Sequence, residues 1–428
     1  MEKRFNLNPE KINVNLEKIN VNLEKNNVNP EKININSEKN NVNLERFNII
    51  PERIKLIQEM IKGDYIDSII DFQNREVPLY SKDSDDIREL LPKKYIDFGK
   101  AISDLGGKLL YIKSGSTGHT FRGVHPEDEN KQSYAVKIVA YPKKEKYGGM
   151  YNAKRPENTE LLMIKLLSYF VINKQTPHIV LPITTFNTSI KPFLNLTKSN
   201  IVNNKKFDQF IERYEKGEYY QNVSILVSEW ANGGDLLDYL KKNYKELKIK
   251  HWKVIFFQIL SVLAIIQTKY PSFRHNDMKA NNILIQNNIN NSNDSKYLYK
   301  INDQTYVVPN IGFQIKLWDF DFACIPGVID NSKVEAEWTD KINIKPEQNR
   351  YYDIHYFINT LTKKGFFPEI FSSSHVPEKV KEFLKRIVPQ QYEIGDFVSD
   401  RGRLLVDDEY LIPDMILKND LFFKSFRK

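Results

Sequence analysis

One stretch of the chain decides the predicted fold: Arg274-His275-Asn276-Asp277-Met278-Lys279-Ala280-Asn281-Asn282-Ile283-Leu284. It places an aspartate, a lysine two residues later and an asparagine three residues beyond that. Phosphoryl transfer uses this set, because a carboxylate orients the attacking hydroxyl, a cation neutralises the moving phosphoryl group and an amide oxygen helps to hold Mg²⁺. One copy could arise by chance in a chain so rich in Asn and Lys. The neighbouring segments therefore decide its meaning.

A glycine-containing turn precedes this stretch. Residues Leu109 to Lys113 favour a strand, which leads into a turn that carries Gly115, Ser116 and Gly118. Glycine lets backbone amides come close to phosphate groups, so these three residues are candidates for holding a nucleotide phosphate. An ordinary hairpin turn would use the same residues, and the turn alone does not decide between the two.

A lysine inside an apolar strand is the next candidate. Lys137 interrupts the apolar run from Tyr134 to Val139, and a lysine that points inward needs a partner. The helix predicted from Arg155 to Leu167 supplies two carboxylates. We expect Glu160 to pair with Lys137, with Glu157 on a neighbouring face as the alternative.

Two further segments complete the predicted site. From Ile225 to Leu240 the pattern indicates a buried strand, a Gly-Gly turn and an amphipathic helix. The backbone from Glu229 to Ala231 would offer the donors and acceptors that an adenine edge requires. From Ile315 to Phe322 an apolar strand ends in a carboxylate, Asp319, which would hold Mg²⁺ against the β- and γ-phosphates.

In this order the segments resemble those of the protein kinase superfamily, from about Leu105 to Phe423. The resemblance implies an α+β, bilobal protein-kinase-like fold with a small β-rich N-lobe and a larger, mainly α C-lobe. It also implies ATP as the phosphoryl donor, Mg²⁺ or Mn²⁺ as the metal and protein substrates with Ser/Thr acceptors, which Lys279 favours over Tyr. The implied roles are Asp277 as catalytic base, Lys279 on the γ-phosphate, Lys137 paired with Glu160, and Asn282 with Asp319 on the metal.

A narrower resemblance rests on His275-Asn276-Asp277, on Asp319-Phe320-Asp321 and on the run from Tyr351 to Tyr356. These patterns are similar to those of the divergent kinases of large DNA viruses, notably the poxvirus virion-kinase type. That resemblance implies a viral protein that works in the host cytoplasm and is a candidate for packaging in the virion.

The chain also departs from the usual kinase pattern. Asn276 stands where most kinases have arginine, Asp321 replaces the glycine of Asp-Phe-Gly, and no Ala-Pro-Glu is found, so the substrate-binding segment is unassigned. We expect Asp353 to brace the catalytic loop from a central helix. We also expect packing rather than a phosphate to hold residues Phe322 to Gln348, because neutral Asn276 cannot pair with a phosphate.

Composition shifts divide the chain into three predicted regions: an Asn-rich heptad-repeat arm at 1–50, a helical extension at 51–104 and a kinase-like catalytic domain at 105–428. The N-lobe would end near residue 230 and the C-lobe would begin at 231. Two polar insertions inside the catalytic domain, about Asn187 to Gln221 and Gln286 to Gly312, are predicted as surface excursions.

The arm repeats a glutamate every seven residues, from Glu10 to Glu52. Its apolar positions fit a coiled-coil seam at first, but Asn and Pro occupy later seam positions, and interior proline costs a helix about 3 kcal/mol. Alternating aliphatic residues also fit a strand. A weakly ordered arm, a short oligomerising helix and strand-like stacking all remain open, and self-association through the repeats is possible.

Composition limits the remaining alternatives. The net charge of +8 is spread among 55 acidic residues, so we expect no dedicated nucleic-acid site. The single cysteine, Cys324, and the lack of a visible secretory signal fit a reducing, cytosolic compartment. The apolar run from Trp252 to Tyr270 is interrupted by polar residues, so we expect a buried helix rather than a membrane span.

Two other function classes compete with a protein kinase. A small-molecule phosphotransferase of the aminoglycoside or choline kinase type often has a motif like Asp319-Phe320-Asp321, but Lys279 and the Gly-Gly-Asp-Leu linker argue against it. A catalytically inactive kinase-like scaffold is disfavoured because every phosphate- and metal-handling residue is retained.

Overall fold

The strands of the protein are β1 Leu44–Glu45, β2 Lys108–Ser114, β3 Gly118–Val124, β4 Tyr134–Pro142, β5 Pro182–Ser189, β6 Tyr219–Glu229, β7 Ile283–Asn287, β8 Lys296–Ile301, β9 Gln304–Pro309 and β10 Phe313–Leu317. A five-stranded antiparallel sheet forms one layer, with strand order β2-β3-β4-β6-β5. β7 pairs antiparallel with β10, and β8 and β9 form a hairpin to which β1 adds in parallel.

The helices lie mostly after the five-stranded sheet in the chain. They are α1 Ile49–Met60, α2 Ile87–Leu90, α3 Phe98–Leu105, α4 Pro156–Ile172, α5 Lys205–Glu215, α6 Leu236–Asn243, α7 Ile249–Lys269, α8 Glu337–Asp340, α9 Tyr352–Leu361, α10 Glu378–Ile387, α11 Gln390–Glu393 and α12 Pro413–Asn419. The predicted mixture of an antiparallel sheet and helices is therefore confirmed.

This computed structural model describes residues 44–45, 47, 49–76, 85–115, 117–125, 132–197, 202, 205–288 and 295–428. All of them belong to one unit of the chain, Asn43–Lys428. The three alternatives for the repeat arm fall almost entirely outside the described residues, and so does Ser116. The division of the chain at 50, 104 and 230 stays a prediction.

The two longest helices form the centre of the core. α4 begins at Pro156, a residue suited to a first helical turn, and nearly all of its side chains are buried. α7 is long and apolar enough to cross a membrane, and it is the one described helix of that kind. However, 78% of its apolar window is buried inside the protein. The prediction of a buried helix in this region is confirmed.

Residues before Leu105 contribute to the same core. Ile50, Ile57 and Ile87 are buried in the main hydrophobic cluster, and α1 also carries a buried arginine, Arg53. Arg53 donates to Pro177 O at 2.8 Å and to Ile179 O at 2.7 Å, and its Nη2 lies 2.5 Å from Glu229 Oε1. Helix α1 is thus joined to the end of β6 through a buried ion pair.

The prediction that the two polar insertions are surface excursions is wrong, because both contain buried aromatic residues. The first contains α5, whose Phe207 and Phe210 are buried. The second contains the β8–β9 hairpin, which buries Tyr297 and Tyr299. Phe47 lies against both tyrosines, with its ring centroid 4.8 Å from that of Tyr299. Aromatic residues spaced two apart on a strand share one face, so an Asn-rich loop can still supply an apolar layer.

Replacing Arg53 with methionine should lower the free energy of unfolding by about 3–5 kcal/mol, because removing one partner of a buried pair leaves an incompletely compensated charge. Lys55→Met on the same helix is the matched control, since the Lys55 side chain is 76% exposed. Chemical denaturation of both variants measures the difference. Equal stability of the two variants would show that α1 contributes through its apolar face alone.

Candidate active site

Asp277, Lys279 and Asn282 form one contact group in the loop that joins α7 to β7. Lys279 Nζ lies 2.8 Å from Asp277 Oδ2, and Asn282 Nδ2 donates to the same oxygen at 3.1 Å and to Asp277 O at 2.9 Å. A short 3-10 turn, Ala280–Asn282, brings the asparagine back to the aspartate. The spacing recognised in the sequence therefore corresponds to one local cluster of a carboxylate, a cation and an amide.

A buried carboxylate of helix α9 binds the backbone of this loop. Asp353 on α9 accepts hydrogen bonds from the amides of His275 at 2.7 Å and Asn276 at 2.9 Å. Both of its oxygens are thereby used by backbone donors, and the side chain is fully buried. The predicted brace from a central helix is confirmed.

Two residues of the site have a left-handed backbone. Asn276 has φ 61° and Asp319 has φ 66°. Most L-residues avoid this region because Cβ approaches the carbonyl oxygen, whereas Asn and Asp tolerate it. Asn276 is therefore suited to this position by its backbone conformation, in addition to being uncharged, as noted from the sequence. Strained backbone positions of this kind cluster at functional sites.

Lys137 on β4 lies between two carboxylates from different segments. Its Nζ is 2.6 Å from Glu160 Oε1 on α4 and 2.8 Å from Asp319 Oδ1 after β10. The alternative partner Glu157 pairs instead with Arg155, at 3.0 Å. The structure thus brings together the lysine, the helix glutamate and the aspartate that the sequence placed in three separate segments.

Electrostatic interactions within this group favour the charged forms of Lys137 and Asp319. Burial alone would lower the pKa of Lys137, but Asp319 and Glu160 overcome burial and raise it. Burial alone would raise the pKa of Asp319, and the Lys137 ammonium lowers it instead. Burial, together with the negative charge of Asp319, raises the pKa of Glu160 to about 7. The attraction of Lys137 opposes this rise. The lysine and the aspartate are therefore the firmly ionised members.

Pairing of β7 with β10 brings the two predicted metal ligands to one end of a ladder. Ile283 pairs with Leu317, so Asn282 directly precedes, and Asp319 closely follows, the same pair of residues. His275 strengthens this connection, with Nε2 3.0 Å from Trp318 O. Asn282 uses its amide nitrogen on Asp277, which leaves its oxygen for a cation. One carboxylate and one amide oxygen suit Mg²⁺, which takes few protein ligands and completes its shell with phosphates and water.

The glycine turn joins β2 and β3. The Gly115 amide donates to Gly118 O at 2.7 Å. A Cβ on Gly118 would lie 1.7 Å from Ile138 O of β4, whereas one on Gly115 would meet no atom closer than 3.7 Å. Close packing of β3 on β4 therefore requires Gly118 whether or not a phosphate binds, which is a reason for this glycine that the sequence did not reveal.

The linker after β6 has a buried anchor. The Glu229 carboxylate accepts from Arg53, from Lys316 Nζ at 2.7 Å and from the Leu181 amide at 2.9 Å. Burial would raise the pKa of Glu229, but the two cations lower it to about 2. The Glu229 amide donates to Leu181 O at 3.0 Å. The sequence suggested only a backbone role for Glu229, whereas its side chain holds the linker to three separate segments.

Two arginines at the site were missed as functional candidates. Arg403 Nη2 lies 2.6 Å from Asp277 Oδ1, across 126 residues of sequence. Arg274 donates to Asn343 O at 2.6 Å and to Glu347 O at 3.2 Å, so it holds the segment that follows Asp319. Arg274 adjoins the catalytic motif and could have been noticed there. No pattern around Arg403 indicates its contact.

Comparison with known proteins agrees with this geometry. A model of the poxvirus serine/threonine protein kinase family matches residues 149–423. A putative serine/threonine-protein kinase of Acanthamoeba polyphaga mimivirus is 45% identical over 373 residues, which cover 86% of this chain and 78% of that protein.

More distant relatives come from poxviruses. Serine/threonine-protein kinase 2 of fowlpox virus is 28% identical over 51% of this chain and 47% of its own length. Serine/threonine-protein kinase 2 of vaccinia virus strain Western Reserve is 31% identical over 43% of this chain and 40% of its own length. The matches thus span under half of these poxvirus proteins. The comparisons support the protein kinase class over a small-molecule phosphotransferase or an inactive scaffold. The chain belongs to the poxvirus serine/threonine protein kinase family.

Proposed function

We propose that this protein transfers the γ-phosphate of ATP to serine and threonine hydroxyls of protein substrates. The observation that carries the proposal is the grouping of Lys137 with Glu160 and Asp319 beside a catalytic loop in which Asp277 contacts Lys279 and Asn282. Cations and oxygen ligands arranged in this way serve phosphoryl transfer, in which catalysis is mainly positioning and electrostatic stabilisation.

The acceptor side of the reaction is assigned to Asp277 and Lys279. Asp277 orients the acceptor hydroxyl and takes its proton as the hydroxyl oxygen bonds to the γ-phosphorus. The bond from the γ-phosphorus to the β–γ bridging oxygen breaks in the same transfer and releases ADP. Lys279 balances charge on the transferred phosphoryl group. Its contact with Asp277 Oδ2 places the ammonium beside the carboxylate.

The nucleotide side is assigned to Lys137, the glycine turn and the linker. Lys137 would hold the α- and β-phosphates while Glu160 fixes its position, and Gly115, Ser116 and Gly118 would cover the phosphates. Adenine would bind along the backbone from Glu229 to Ala231. The Glu229 amide already donates to Leu181 O, so we assign the Glu229 carbonyl and the Ala231 amide. The carbonyl accepts from Ser228 Oγ at 3.3 Å and has a second lone pair for adenine. The five-stranded sheet and the helices that follow would then form the two lobes of a kinase.

The metal would be Mg²⁺ or Mn²⁺ held by Asn282 and Asp319, which flank the same end of the β7–β10 ladder. A divalent cation there supplies positive charge that neutralises the phosphates during transfer. Asp319 also contacts Lys137 through one carboxylate oxygen, Oδ1. The lysine thereby fixes the position of the carboxylate, and the other oxygen remains for the cation.

The viral relatives support a place of action in the infected host cell. We propose that the enzyme acts in the host cytoplasm, with the virion as a second location. Self-association through the N-terminal repeats remains a prediction.

The full-length protein with radiolabelled ATP, Mg²⁺ and a basic protein should yield phosphoserine and phosphothreonine. Asp277→Asn should reduce the rate roughly 10²- to 10⁴-fold, the usual range for an acid–base group, and should retain nucleotide binding. Asp340→Asn, an exposed aspartate of α8, is the control and should behave as wild type. Unchanged turnover of Asp277→Asn would remove that residue from the mechanism, and phosphotyrosine as sole product would refute the acceptor class.

Phosphatase treatment should leave most of the activity intact, because neutral and cationic side chains already hold the segment from Phe322 to Gln348. Asn276 Nδ2 donates to Phe322 O at 3.1 Å, and Arg274 donates to Asn343 O and Glu347 O. These donors bind carbonyls and require no phosphate. The measurement is specific activity before and after treatment, with mass spectrometry to verify removal. Activity that is lost and then restored by phosphorylation within this segment would contradict the prediction.

A further inference from the structure

Arg403 reaches the proposed catalytic carboxylate from a distant part of the chain. It lies in a turn between α11 and α12, and its Nη2 is 2.6 Å from Asp277 Oδ1. The side chain is 8% exposed, so the contact is shielded from solvent. A buried arginine that binds this oxygen affects the geometry of Asp277 directly.

The guanidinium is fixed in orientation before it meets Asp277. Nη1 donates to Asn276 O and, at 3.1 Å, to Tyr352 Oη, and its Cζ lies 4.0 Å from the centroid of the Tyr356 ring. A planar group held on two edges and one face has little rotational freedom. Arg403 therefore presents Nη2 to the carboxylate in a defined direction.

The turn that carries Arg403 is itself tightly held. Ser399 N donates to Arg403 O at 2.9 Å, and Arg403 N donates to Ser399 Oγ at 3.0 Å. Gly402 has φ 83°, which favours glycine at this position. Asn343 Nδ2 donates to Leu404 O at 3.0 Å, which joins the turn to the segment after Asp319. The turn thus supports both the catalytic loop and the segment whose usual Ala-Pro-Glu sequence is absent.

The bonds of Asp277 show what Arg403 adds. An ionised carboxylate offers about four lone-pair positions on its two oxygens. Oδ2 accepts from Lys279 and Asn282, and Oδ1 accepts from Arg403. In the proposed reaction Lys279 balances charge on the γ-phosphate, and a turn of its ammonium towards that phosphate would release one position on Oδ2. Arg403 then becomes the cation that still fixes the carboxylate while Oδ2 receives the acceptor hydroxyl.

We infer that Arg403 is a positioning residue for phosphoryl transfer, which holds Asp277 so that Oδ2 faces the acceptor hydroxyl throughout the reaction. This inference rests on the proposed function, because it assigns Arg403 a role only through Asp277. Among the residues of this turn, it assigns Arg403 alone to the acceptor side of the active site. A carboxylate freed to rotate would be misplaced by about an ångström, a shift that can cost on the order of 10²-fold in rate.

The test compares Arg403→Ala and Arg403→Lys with Arg401→Ala in the full-length protein. Arg401 is an exposed arginine of the same turn and serves as the matched control. For each variant, kcat and the KM for ATP and for a serine peptide are measured, together with ADP binding and thermal unfolding. Activity of Arg403→Ala is also measured with added guanidinium ion.

We expect Arg403→Ala to lose roughly 10- to 100-fold in kcat, with the KM for ATP within about twofold of wild type. Guanidinium should restore part of the loss, and Arg403→Lys should fall between wild type and alanine because a point charge lacks the planar fork. Arg401→Ala should match wild type. Partial rescue by guanidinium distinguishes positioning from a loss of folding.

Three results would overturn the inference. One is wild-type kcat in Arg403→Ala. The second is loss of ADP binding together with activity in both Arg403 variants. The third is failure of both variants to fold. Either of these last two results would make the role of Arg403 purely structural. An active wild type with inactive Asp277→Asn and fully active Arg403 variants would refute this inference and leave the proposed function intact. Wild-type protein without any transfer would refute the proposed function itself.

Discussion

The contact of Lys137 with two carboxylates is the interaction on which the site depends. The lysine comes from the middle of the five-stranded sheet, Glu160 comes from the buried helix α4, and Asp319 follows the last strand, β10. A partly buried ammonium such as that of Lys137 is costly unless it is paired, so this group favours one relative placement of the three segments. The same placement presents a cation and a carboxylate to the space where the phosphates of a nucleotide would bind.

The catalytic loop is held by a second set of contacts that also relies on buried charge. Asp353 accepts from two backbone amides, Arg274 donates to carbonyls of the following segment, and Arg403 binds Asp277. At the end of β6, where the linker begins, Glu229 is fixed by Arg53 and Lys316. Arg274 donates to carbonyls of the segment that follows Asp319 rather than to a phosphate, which is the basis for the prediction that the segment needs no modification to be ordered.

Local chemistry was predictable from the sequence, and the family resemblance added the Asp353 brace of the loop. Other long-range contacts were not predictable. The Asp277, Lys279 and Asn282 cluster follows from spacing within a single loop, and Glu160 was chosen because helix α4 follows the strand that carries Lys137. Arg403 and Arg53 lie 126 and 176 residues from their partners Asp277 and Glu229, and no periodicity connects such positions. A resemblance to a family also conveys nothing about residues that the family motif omits.

The errors have a physical explanation as well. The insertion that contains Tyr297 and Tyr299 is rich in Asn, and its polarity outweighed the alternation of aromatic residues that buries one face of the hairpin. The close approach of Gly118 to Ile138 O depends on how β3 packs against β4. The sequence identifies the glycine but does not distinguish a packing requirement from a phosphate-binding one.

A double-mutant cycle on Lys137 and Glu160 tests the central claim most directly. Lys137→Met and Glu160→Ala should each lower kcat/KM, and the double variant should be scarcely worse than either, because residues that act as one unit give non-additive losses. Glu157→Ala in combination with Lys137→Met is the comparison, since Glu157 pairs with Arg155. The account predicts strong coupling for Glu160 and effects that add for Glu157. Additive losses for Lys137 and Glu160 would contradict it.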